Sequence, residues 1–119
     1  MKYALIIYEN PEQMAQRQSH EAPAYWAAWM AYSEAVKAAE IQAGGTALQP
    51  PATATTVKFR ADKKHVQDGP FADTKELLGG FFIIDVPDLD KALEWASRAP
   101  LSPGGSVEVR PLLVMPPAK

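Results

Sequence analysis

Two stretches of this chain, residues 2–8 (Lys2-Tyr3-Ala4-Leu5-Ile6-Ile7-Tyr8) and residues 77–86, are apolar on both of their alternating faces. Tyr3, Leu5 and Ile7 oppose Ala4, Ile6 and Tyr8 in the first; Phe81 and Ile83 oppose Phe82, Ile84 and Val86 in the second. Side chains of a strand point alternately to its two sides. Strands apolar on both sides are therefore central and covered twice. With 119 residues the chain has room for one domain and one such core.

The other periodic segments say what covers that sheet. Residues 24–43 read as a long helix, with Trp26, Trp29, Met30, Ser33, Val36 and Lys37 on one face and Tyr25 and Tyr32 flanking it. Gly44-Gly45 is the expected stop. A second helix begins at Pro87-Asp88, with Asp88 as N-cap and Leu89, Ala92, Leu93 and Ala96 facing inward. Residues 46–50, 53–60, 65–67 and 106–114 read as strands, the middle two forming a hairpin around 61–64; residues 10–23 read as a polar loop with a helical turn near Glu12. The order β-α-β-β-hairpin-β-α-β predicts an α+β, ferredoxin-like antiparallel sheet with two helices on one face. The opposite face is then left apolar and uncovered, which predicts a homodimer through the sheet face. A monomer with residues 10–23 folded across that face is the alternative.

Composition narrows the chemistry. With no cysteine, disulfides, thiolate nucleophiles and thiolate metal sites are excluded. Two histidines and no His-x-x-x-His spacing predict no metal site, and no glycine-rich loop precedes a helix, so no cofactor is expected. A net charge of −2 without basic runs predicts neither nucleic acid nor an anionic membrane as partner. The apolar run at the N-terminus ends at Glu9-Asn10-Pro11, too short for a signal peptide, and a cytoplasmic location is the expectation.

The candidate chemistry gathers around the run Asp68-Gly69-Pro70-Phe71-Ala72-Asp73-Thr74-Lys75-Glu76, which leads into Leu77-Leu78-Gly79-Gly80. Polar loops held by a rigid strand are enriched in function. His65 and Asp68 form a base–orienter pair only if the chain turns at Gln67, since i and i+3 otherwise point apart; the plainer reading is an Asp that stabilises a turn. Asp73 or Glu76 can move a proton, Lys75 can bind an anion and Thr74 can donate a hydrogen bond; the plainer reading is surface pairing among them. Gly79-Gly80 permits close approach of a backbone or ligand. Tyr3 and Tyr8 are pocket candidates, because a buried hydroxyl needs a partner. The aromatic residues of the long helix read as core or as a pocket wall. Glu108 and Arg110 read as cross-strand partners of Arg60 or Lys58.

Several separated motifs carry a resemblance: Met1-Lys2-Tyr3, Leu48-Gln49-Pro50-Pro51-Ala52-Thr53-Ala54-Thr55-Thr56-Val57, Asp68 to Glu76, Leu78-Gly79-Gly80-Phe81, and Gly105-Ser106-Val107-Glu108-Val109-Arg110-Pro111. In this order they resemble the DGPF branch of the YCII-related proteins. The resemblance implies a ferredoxin-like, dimeric α+β barrel with a pocket between sheet and partner. The broader group carries a His–Asp pair proposed as an active-site dyad, its His early in the first long helix, and one relative removes chloride from a chlorinated hydroxyquinol. Residues 24–43 contain no histidine, so the dyad does not carry over. Relatives of this branch are often encoded near extracytoplasmic-function sigma factors. Two readings follow. One is a small dimer binding a cyclic or aromatic organic molecule, with cofactor-free acid–base chemistry such as elimination or isomerisation. The other is a non-catalytic ligand-sensing or protein-interaction module linked to a transcriptional stress response.

Overall fold

The computed structural model describes residues 1–71 and 75–117. Along the described chain run β1 (Lys2–Glu9), α1 (Pro11–Ala15), a 3-10 turn (Gln16–Gln18), α2 (Ala22–Ala38), β2 (Gln42–Ala47), β3 (Thr55–Arg60), β4 (Lys63–Asp68), β5 (Leu77–Asp85), α3 (Leu89–Ser97) and β6 (Ser106–Pro111). Four strands make one antiparallel sheet in the order β2-β5-β1-β6, and β3-β4 form a separate two-stranded sheet. The four-stranded order is that of a ferredoxin-like α+β domain, with the β3–β4 hairpin inserted between its second and third strands. No helix among the described residues is long and apolar enough to cross a membrane.

The two-faced strands β1 and β5 do occupy the centre. Tyr3, Leu5 and Ile84 turn toward α2 and α3 and are buried with Tyr32, Val36, Val86 and Ala92. Tyr32 ties the layers together: its hydroxyl donates to the Trp95 carbonyl at 2.7 Å, and its ring meets Phe82 and Trp95 edge-on. Burying one large apolar side chain of this kind contributes about 1.5–3 kcal/mol. The opposite face presents Ala4, Ile6, Phe81 and Ile83, all half-buried.

Several expectations shift. The long helix ends at Ala38, not at residue 43, and Gly44-Gly45 lie inside β2. Glu40, in the left-handed region at φ 58°, closes the helix: its N–H reaches the Lys37 carbonyl and the Ile41 N–H reaches that of Val36. This is the Schellman arrangement, with Glu where glycine is usual. Gly45 serves strand packing instead; a Cβ there would lie 2.4 Å from the Phe81 carbonyl oxygen. The buried stripe of α2 is Tyr25, Tyr32 and Val36, while Met30 and Lys37 are exposed. Residues 10–18 are largely helical rather than loop. Tyr3 belongs to the core, its hydroxyl against the Met1 sulfur. Glu108 pairs with Arg110 along its own strand, because β3 is not in that sheet. Asp88 caps α3 as expected, accepting from the Lys91 N–H at 3.0 Å.

Candidate functional site

Alternation along β1 puts Glu9 in phase with Tyr3, Leu5 and Ile7, so a carboxylate lies on the buried face, 1% exposed. The next residues bring it a partner. Asn10 caps α1 by accepting from the Gln13 N–H at 2.7 Å and donates to the Pro103 carbonyl. Buried Gln13 donates to the Pro100 carbonyl and accepts from the Ser102 N–H. Asn10 and Gln13 thereby pin α1 to the α3–β6 connection, and the 3-10 turn that follows at Gln16–Gln18 delivers Arg17 back over the end of β1.

Arg17 Nη2 lies 3.0 Å from Glu9 Oε1, and both side chains are almost fully buried. The same guanidinium donates through Nε to Tyr25 Oη at 2.8 Å, and through its terminal nitrogens to the carbonyls of Leu48 and Gly79. Tyr25, on the first turn of α2, points its hydroxyl at both Glu9 oxygens, 2.8 and 2.7 Å away. Burial, reinforced by the hydrogen bond to Glu9, pushes the Tyr25 phenol up to about 12. At neutral pH Tyr25 therefore keeps its proton beside the Glu9–Arg17 ion pair.

A β-bulge shapes the space around this triad. Ile7 pairs with Gly80 and Tyr8 with Leu78, so Gly79 is the extra residue. A Cβ at Gly79 would stand 2.5 Å from Glu9 Oε1 and 3.1 Å from Arg17 Nη2. The glycine leaves room for the ion pair. Above it opens a cleft of about 390 Å³ between α2 and the β5–β2 edge, walled by Ile7, Trp26, Trp29, Met30 and Phe82. Trp29 and Phe82 stack at 6.4 Å, and the Trp29 Nε1 donor is buried without an acceptor among the described residues. Apolar walls and a few convergent polar groups are the usual make-up of a small-molecule site.

The residues singled out in the sequence fall in three places. Gly79 and Gly80 line this cleft. Tyr8 and Glu76 line another, of about 480 Å³, on the opposite face of the sheet with Leu48, Pro50, Phe71 and Leu78. His65 and Asp68 are exposed on β4, which stays extended through Asp68, so no turn brings the two side chains together. Lys75 lies beyond the hairpin, lining neither cleft. Asp73 and Thr74 lie outside the described residues.

Glu9 and Arg17 escaped the sequence reading, and Tyr25 entered it only among the aromatic residues of the long helix, as core or pocket wall. The signals were present: Glu9 keeps the phase of the buried face of β1, and Arg17 is the one Lys or Arg between Lys2 and Lys37.

An uncharacterised protein of Rhizobium meliloti (strain 1021) is 47% identical over 75 residues, 60% of each chain. The chain thus spans about 60% of the length of that curated relative. The profile of the YCII-related domain matches residues 1–116, and the chain belongs to the YCII-related family.

Proposed function

We propose that this chain binds a small cyclic or aromatic organic molecule in the Glu9–Arg17–Tyr25 cleft. One observation carries the reading: a buried ion pair with a protonated phenol sits at the floor of an aromatic-walled cleft. Such a pair is a poor way to hold elements together, since apolar side chains of similar volume often stabilise a fold as well or better. Perturbed groups in a cleft more often serve chemistry. The Glu9 carboxylate accepts a ligand N–H or O–H, and Arg17 holds the charge balance. Tyr25 is the proton donor and Glu9 the base for a cofactor-free elimination or isomerisation. The open apolar sheet face supports a homodimer, with Ala4, Ile6, Phe81 and Ile83 at its centre. The DGPF-type motifs support assignment to that branch of the family.

A thermal-shift screen against catechols, hydroxyquinols, lactones and small carboxylates tests this, run on the unmodified chain, Glu9→Gln and Asp73→Ala. Ligand at about 100 times its Kd adds about 2.7 kcal/mol. A shift lost in Glu9→Gln and kept in Asp73→Ala supports the cleft. The converse moves the ligand to the 68–76 segment. No shift from any class favours the non-catalytic interaction module.

A further inference from the structure

The β3–β4 hairpin stands apart from the main sheet. Among the described residues its strands pair only with each other, Thr55 with Asp68 through Arg60 with Lys63, and turn over at Ala61, φ 51°. Residues directly opposite one another share a face, so Val57, Phe59 and Val66 form one apolar stripe. These side chains are 49%, 73% and 69% exposed. A two-stranded hairpin alone is at best marginally stable in water, and an exposed apolar strand face is a pairing hazard. The radius of gyration is 16.3 Å, against about 13.5 Å for a compact domain of this length. With its strands paired to no other element among the described residues and its apolar stripe exposed, the hairpin projects as an arm.

Its charge says what it fits. Residues 55–68 carry Lys58, Arg60, Lys63 and Lys64 against Asp62 and Asp68, a net of +2. The whole chain is −2, so the remainder carries −4. A basic arm with an apolar stripe complements the acidic body it comes from, yet projects away from that body. We infer that the arm clasps the body of a second copy of this chain, reciprocally across a two-fold axis. This rests on the dimer reading above and adds the arm to the interface.

Sedimentation equilibrium of the full chain at low and high salt tests the clasp, with Val57→Ser/Phe59→Ser/Val66→Ser and, separately, Lys63→Glu/Lys64→Glu. The unmodified chain is expected to be a dimer whose dissociation constant rises with salt. Each variant should weaken it at least about tenfold, as loss of central interface contacts does. The charge-reversed pair keeps Val57, Phe59 and Val66, losing only the Lys64 contact over the Phe59 ring, so its result stands even if the triple variant unfolds the hairpin. Carbodiimide cross-linking of mixed light and heavy chains should join Lys63 or Lys64 of one copy to a carboxylate of the other. A dimer unchanged in both variants overturns the clasp and leaves the sheet-face dimer standing. A chain monomeric at every concentration overturns both.

Discussion

The Tyr25 hydroxyl lies 2.8 and 2.7 Å from the two oxygens of Glu9, close enough to share its proton with either. Arg17 Nε donates to the same hydroxyl oxygen at 2.8 Å. The phenol is thus locked as a donor to the carboxylate and an acceptor from the guanidinium. The site is organised before any ligand arrives.

That locking has a pH signature. Tyr25 and Tyr32 are both raised from 10.0 to about 12, chiefly by burial. Below pH 10 folded and unfolded chains both keep these protons, and the stabilisation is fully present. Between pH 10 and 12 only the unfolded chain releases them, so stability falls as pH rises. A gap of this size is worth at most a few kcal/mol per group. Urea unfolding at pH 9 to 12, with tyrosinate absorbance followed in parallel, should show this loss. Tyr25→Phe should remove about half of the slope.

Truncating Glu9 to Ala leaves Arg17 buried without its counter-charge. A broken buried pair of this kind costs about 3–5 kcal/mol, and urea midpoints should drop accordingly at unchanged m-value. Glu9→Leu with Arg17→Met removes both charges together and should recover part of that loss, the Tyr25 hydroxyl being left without its two partners. The double variant should then fold and fail to bind any ligand found in the cleft. A double variant that still binds would detach the cleft from the triad.

The fold was legible where periodicity was strong. The two-faced apolar strands at 2–8 and 77–86 do lie at the centre of the sheet, and the hairpin and the Asp88 cap are where the pattern put them. The end of the long helix was not legible, because the left-handed cap falls on Glu40 while two glycines four residues later look like the stop. The cleft was less legible still. Its floor comes from three residues spread over positions 9 to 25, which only the pinned α1 and the 3-10 turn after it bring together. The run from Asp68 to Glu76 stands out for its density of polar groups. Density in sequence says nothing about convergence in space: Tyr8 and Glu76 line a cleft on one face of the sheet, Gly79 and Gly80 serve the other, and His65 and Asp68 ride the arm.

The cap at Glu40 offers a substitution that should strengthen the chain. A side chain held in the left-handed region costs about 1–2 kcal/mol, which glycine avoids. Glycine also loses more freedom on folding, which offsets part of that gain. Glu40→Gly should therefore stabilise by up to about 1 kcal/mol. Urea unfolding at neutral pH should show a higher midpoint than the unmodified chain. A drop would mean that the Glu40 side chain contributes more than its strained backbone costs.

Gly79 connects backbone geometry to the chemistry of the cleft most directly. Alanine there puts a methyl group 2.5 Å from Glu9 Oε1 and 3.1 Å from Arg17 Nη2. Both are ends of side chains, so they can retreat, but only by lengthening the 3.0 Å ion pair or the bonds to Tyr25. Overpacking of this sort costs about 1–3 kcal/mol. Gly45→Ala is the useful contrast. Its methyl would meet the Phe81 carbonyl oxygen at 2.4 Å, rigid backbone at the β2–β5 edge rather than the end of a side chain. Gly79→Ala should therefore stay folded while the Tyr25 titration moves down from about 12, as its hydrogen bond to Glu9 lengthens. Gly45→Ala should lose more stability and unpair the edge strand, seen as faster amide exchange along Gln42–Ala47. If instead Gly79→Ala leaves the tyrosinate titration untouched, the triad has room to spare. The glycine would then answer to the bulge alone.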